Sequence, residues 1–146
     1  MINITLYAEP VAQGRPRFST AGGFARAYDP AKSRNYKQLL SLSAEEQLRQ
    51  QGGAMLDEPI FLSVRVYRSI PKSFSKKKQA QAERGELRPI TKPDIDNYVK
   101  GIKDALNGIC WRDDSLIIGY VEPFGKFYSS QPRIEVDVYR LGEGKQ

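Results

Sequence analysis

The sequence predicts a mixed α/β domain, and three observations carry that reading. Apolar and polar residues alternate near 2–8, 59–68 and 132–140, whereas residues 95–109 follow the helical spacing of three and four, and the two kinds of segment interleave along the chain. Ile2, Ile4, Leu6 and Ala8 against Asn3, Thr5 and Tyr7 read as a half-buried strand. The turn-rich run Gly14-Arg15-Pro16-Arg17, then Ala21-Gly22-Gly23, reads as a polar loop that also holds Arg26. Pro30 opens a helix to about Gln51 with Tyr36, Leu39, Leu40, Ser43 and Leu48 inward, and Gly52-Gly53 stops it. Residues 59–68 give a second strand. The basic stretch 71–92 contains a short exposed helix starting near Ser75. Strands at 116–122 and 132–140 complete the order strand, helix, strand, helix, helix, strand, strand. At 146 residues this is one compact domain spanning 1–146.

Composition removes whole classes of chemistry. The chain has no His, which excludes Ser-His-Asp triads, Cys-His pairs and His-ligated zinc. A lone Cys110 forms no internal disulfide and anchors no zinc, which fits a reducing cytosol. With no leader-like N-terminus and no apolar run of membrane length, a cytoplasmic protein with no membrane partner is expected. Catalysis would have to run on carboxylates, amines, hydroxyls or an oxygen-loving metal.

The net charge of +6 is uneven. Residues 1–90 hold 15 basic and 8 acidic side chains, whereas residues 91–146 hold 8 and 9. A polyanion such as nucleic acid suits the front half, although a solvated basic surface is the commoner explanation of Lys76, Lys77 and Lys78. The acids of the second half need an account of their own.

That account centres on residues 92–115. Ile95, Tyr98, Val99, Ile102, Ala105, Leu106 and Ile109 mark one apolar helix face, Asp94 or Asp96 caps its start, and Asn107-Gly108 ends it. Asp96, Lys100 and Asp104 lie in one row on the opposite side. A ladder of i, i+4 ion pairs would explain that row, at about 0.2–0.5 kcal/mol per pair. Capping and turns give Asp94, Asp113 and Asp114 separate explanations. Taken together, five aspartates within 21 positions of a basic chain suggest more. If the loop after Gly108 folds back, Asp113 or Asp114 approaches Asp94 and Asp96, and such a cluster calls for a cation. Without His or a thiolate pair, a hard ion is favoured: Mg²⁺, or Mn²⁺ as a substitute. Cys110 and Trp111 read as packing residues with no chemistry.

The run KPDIDNYVKGIKDALNG followed by Asp113-Asp114-Ser115 resembles the signature of the RusA family of Holliday junction resolvases. Gly14-Arg15-Pro16-Arg17 and Tyr28-Asp29-Pro30 are similar to that family's N-terminal region, and Leu116 stands where the family often has Gln. The resemblance implies a RusA-like fold and a homodimeric, Mg²⁺-dependent endonuclease that cuts four-way DNA junctions symmetrically in recombination and repair, often in a prophage setting. It implies no small-molecule substrate. Carried onto matching positions, Asp94, Asp96 and Asp114 would hold the metal, and Lys100 would be the essential basic residue beside them. Asp104 and Asp113 match motif positions without a defined role. Arg15 and Arg17 would hold the DNA backbone.

Three other readings compete. A basic, non-catalytic DNA-binding accessory protein of phage replication or recombination explains the charge but not the aligned acids. A restriction-type nuclease fails because Asp137 stands where its pattern needs Lys. An RNA-binding module lacks the expected aromatic run.

Overall fold

The computed structural model describes residues 1–14, 17–23, 26–28 and 30–143. One mixed sheet of five strands carries the chain: β1 (Ile2–Leu6), β4 (Ile60–Ser69), β5 (Ile117–Tyr120), β6 (Gly125–Ser129) and β7 (Arg133–Arg140). The order is β1-β7-β4-β5, with β6 beside the far half of β4. β7 runs antiparallel to both β1 and β4, whereas β5 and β6 run parallel to β4. A short antiparallel hairpin of β2 (Arg17–Ser19) and β3 (Arg26–Tyr28) stands apart from this sheet. The helices are α1 (Ala31–Gln50), α2 (Lys76–Glu83) and α3 (Ile95–Leu106). Among the described residues no helix is long and apolar enough to cross a membrane.

Alternation decides the faces. Ile60, Leu62, Val64 and Val66 of β4, with Ile134, Val136 and Val138 of β7, are fully buried and form the floor of the core. Tyr36, Leu40, Ala44 and Leu48 of α1, at strict spacing of four, lie in the same core as Tyr98, Ile102, Ala105 and Leu106 of α3. Each of the buried valines, leucines and isoleucines contributes about 1.5–3 kcal/mol through burial. Leu39, expected to point inward, is exposed, and Ala44 takes the inner position. Gly52, with φ of 67°, ends α1, and the following Gly53 N–H returns to the Leu48 carbonyl at 3.0 Å.

Three strands escape the sequence reading. β6 is a five-residue strand whose Phe127 stacks on Tyr67 of β4, with centroids 5.3 Å apart. The β2–β3 hairpin lies where a loop was expected.

The free edge of β1 is closed by side chains. Gln47 accepts from the Thr5 N–H at 2.9 Å and donates to the Thr5 carbonyl at 2.7 Å. One turn later Gln51 does the same for Asn3, at 3.1 and 2.6 Å. Two amides four residues apart, one on α1 and one at its C-cap, thus imitate a neighbouring strand and satisfy an edge that would otherwise recruit one.

The other sheet face carries a charge network. Arg65, only 7% exposed, donates to Glu135 at 2.9 Å, to Asp137 at 3.0 Å and to Ser63 Oγ at 2.8 Å. Arg133 holds the second Glu135 oxygen at 2.6 Å, and Asn3 donates to Asp137 at 2.6 Å. Burial raises the Glu135 pKa, but Arg133 and Arg65 more than offset it, so the carboxyl sits below the ordinary glutamate value. Its stabilising contribution is therefore complete above about pH 4.3 and lost as the pH falls through the depressed value. Glu135→Gln is expected to cost about 1–3 kcal/mol at pH 7 and to flatten the fall in melting temperature on acidification. A mutant curve parallel to wild type from pH 6 to 3 would contradict this.

Candidate active site

α3 positions the acids. Its start is held by Lys126 of β6, whose ammonium donates to the carbonyls of Thr91 and Pro93 at 3.0 and 3.1 Å. Arg68 at the end of β4 also donates to the Thr91 carbonyl, at 3.0 Å. Along its side, α3 lies close to the segment 11–14: the Gln13 N–H donates to the Asn97 carbonyl at 3.0 Å. A Cβ on Gly101 would come within 3.3 Å of the Gln13 backbone nitrogen, so glycine permits the close approach.

Asp94 occupies the N-cap position of α3, yet its side chain makes no capping bond. Capping therefore does not explain its carboxylate. The ion-pair ladder fails as well. Among the described residues neither Asp96 nor Lys100 forms a hydrogen bond or ion pair, and Asp104 pairs with Lys37 of α1 at 3.6 Å.

Beyond α3 the chain doubles back tightly. The Gly108 N–H donates to the Trp111 carbonyl at 2.7 Å with Gly108 at φ of 80°, and Leu56 pairs on both sides of Trp111, with Cys110 and Arg112, at 2.9 Å each. This return delivers Asp114, the first residue of a single 3-10 turn (Asp114–Leu116), to the polar side of α3. Asp96, Lys100, Asp104 and Asp114 then line one recess of about 460 Å³, walled by Val99 and by the paired rings of Tyr120 and Phe124. Asp113 is turned to other work. It caps the 3-10 turn, accepting from the Ser115 N–H at 2.9 Å, and its bonds to Ser115 hold its carboxyl below the usual aspartate range.

Asp94 lines a different hollow, on the other side of the α3 start. The structure thus joins Asp96, Lys100 and Asp114 and leaves Asp94 outside their recess. Among the described residues no three carboxylate, His or Cys side chains gather as a metal cluster. The donor chemistry nonetheless fits a hard cation. Mg²⁺ is commonly held by one or two carboxylates, with waters and substrate phosphate oxygens completing the shell, and Asp96 and Asp114 are two such carboxylates. Arg15 lies outside the described residues, and Arg17 is placed by its backbone on β2, opposite Tyr28.

Trp111 corrects the sequence reading. It is fully buried, but its indole N–H donates to the Asp114 carboxylate at 2.8 Å. One oxygen of Asp114 is thereby oriented from beneath and the other remains for the recess. Neither this bond nor the role of Lys126 had a signal in sequence, since both depend on which way a loop returns. Cys110 is packing as expected: burial pushes its thiol up to about 12, far from a nucleophilic thiolate.

The profile of the endodeoxyribonuclease RusA family matches residues 8–139, and the chain belongs to that family. The match covers the whole of the recess and the loops that shape it. The chain is also 49% identical over 137 residues to a protein of Bacillus subtilis (strain 168) described as uncharacterized protein YqaN, with 92% of this chain and 93% of that protein covered.

Proposed function

We propose that this chain is a Mg²⁺-dependent, structure-specific endodeoxyribonuclease that resolves four-way Holliday junctions by paired symmetrical hydrolysis, acting as a homodimer in DNA recombination and repair. One observation carries the reading: in a member of an endodeoxyribonuclease family, Asp96 and Lys100, neither with a partner among the described residues, share one open recess with Asp114, whose carboxylate is held by the Trp111 indole. Family membership supports DNA as the substrate, and the net charge of +6 supports a polyanion.

Asp96 and Asp114 would hold Mg²⁺, and Asp94 is proposed as a third ligand reached from the start of the helix. When bound, the ion supplies a polarised phosphate oxygen and a bound water of lowered pKa. Lys100, one helical turn beyond Asp96, presents its ammonium to the same recess and stabilises negative charge that builds on the phosphate as the water oxygen bonds to phosphorus and the ester P–O bond breaks. Trp111 keeps the Asp114 carboxylate aimed at that point. Two matched cuts across a junction need two copies of the recess related by a two-fold axis. The domain acting is the chain from 1 to 146, in the cytoplasm.

The test is incubation with a labelled mobile four-way junction and its linear duplex, in Mg²⁺ and in EDTA. Paired symmetrical nicks on the junction alone, abolished by EDTA, are expected. Tight binding without cutting would replace the proposal with a DNA-binding accessory protein. Arg15→Ala with Arg17→Ala is expected to weaken junction binding and to reduce the slope of log affinity against log salt by about 1–2, since each lost phosphate contact removes about 0.7–0.9 of slope. An unchanged slope would remove these arginines from the DNA interface.

A further inference from the structure

The hollow that Asp94 lines has a volume of about 540 Å³, within the range of small-ligand sites. Three cations reach it from three parts of the chain: Lys32 at the start of α1, Arg68 at the end of β4, and Lys92 in the loop before α3. Lys32 and Lys92 carry no hydrogen bond or ion pair among the described residues, and Arg68 uses one guanidinium nitrogen on the Thr91 carbonyl and keeps its other donors. Two carboxylates, Glu9 and Asp94, face these three cations and leave a balance of one positive charge. Glu9 is engaged by the N–H and hydroxyl of Ser69, which leaves Asp94 as the acid without a partner.

The remaining wall has a different character. Asn97 is exposed, its backbone carbonyl is taken by Gln13, and its side-chain amide is unengaged among the described residues. A surplus of positive charge and a free amide with donor and acceptor together suit a ligand with a phosphate and a polar heterocyclic edge. The hollow meets the catalytic recess across the single turn from Asp94 to Asp96, so a strand with its scissile phosphate in one has an adjoining nucleotide at the other.

We propose that this hollow is a nucleotide subsite that takes the residue next to the cut, its phosphate on Arg68 and Lys92 and its base edge on the amide of Asn97. The placement relative to the cut rests on the proposed nuclease function; the nucleotide site itself does not. The full chain would be titrated with each of the four deoxynucleoside monophosphates at millimolar concentrations and followed by ¹H–¹⁵N spectra. Saturable shifts at the Asn97 side-chain amide and at residues 9–14 are expected, with affinity about tenfold weaker in Arg68→Gln and in the exposed-site variant Lys92→Gln. No shift there, or equal affinity in both variants and wild type, would overturn the subsite whether or not the protein cuts DNA.

In parallel, junctions that differ only in the nucleotides flanking the cut would be digested by wild type and by Asn97→Ala. The variant is expected to redistribute cutting among these sequences while junction affinity holds. An unchanged distribution would overturn base reading by Asn97. If wild type cuts no junction, the nuclease proposal fails, and the titration alone decides the subsite.

Discussion

Asp96→Asn should lower junction cleavage in Mg²⁺ by about 10³-fold or more, with junction affinity in EDTA unchanged within about threefold. The substitution keeps the shape of the side chain and removes one charge from the recess. Asp96 is exposed and has no partner among the described residues, so no structural bond is broken and the melting temperature should hold or rise slightly. That separates a catalytic loss from an unfolding one. The check is single-turnover cleavage beside a band-shift titration and a thermal melt. Equal cleavage by wild type and variant would remove Asp96 from the site. Asp94→Asn is the informative companion, because Asp94 lines the neighbouring hollow. An equal loss at both positions would mean that the metal is reached from both sides of the helix start.

Trp111→Phe should lower cleavage about 10–100-fold and move the Mg²⁺ dependence to higher concentration. The ring remains in the core while the 2.8 Å bond to Asp114 is lost, leaving that carboxylate free to rotate. Trp111→Ala behaves differently: removing a fully buried indole costs about 3–5 kcal/mol through the cavity left behind. Measuring cleavage against Mg²⁺ concentration for the Phe variant, with its melting temperature, distinguishes orientation from stability. A wild-type Mg²⁺ curve for Trp111→Phe would show that Asp114 needs no such support.

Local patterns made most of the fold legible. β4, β7 and α3 were visible because each buries one face against a continuous core, which imposes a period of two or of 3.6 on the chain. β6 was not visible: it follows Pro123 and opens on Gly125, and its Phe127 finds its partner, Tyr67, some 60 positions away in the chain. Leu39 was misplaced because α1 buries residues at a strict spacing of four, and the small Ala44 gives no hydrophobic signal against a leucine. At the site, the chemical types of Asp94, Asp96, Lys100 and Asp114 were legible, since clustered acids in a basic chain are rare enough to notice. Their grouping was not. That Asp104 turns to Lys37 follows from the packing of α3 on α1, and the places of Asp113 and Asp94 follow from the 107–114 return and the 91–93 loop, all contacts between segments that the local pattern does not relate.

The closed edge of β1 has a kinetic side. β1 finds its strand partner in β7, with Ile2 opposite Val138, so the first strand of the described fold pairs with the last. Closing a loop of that length is slow, and sheets built from such pairings fold late. The amides of Gln47 and Gln51 reach Thr5 and Asn3 across 42 and 48 positions, a far shorter search. α1 can therefore hold β1 extended, its outer backbone groups already answered, before β7 arrives. Replacing the two glutamines would then slow refolding more than it lowers equilibrium stability, and would leave an unguarded strand in solution for the whole of that delay.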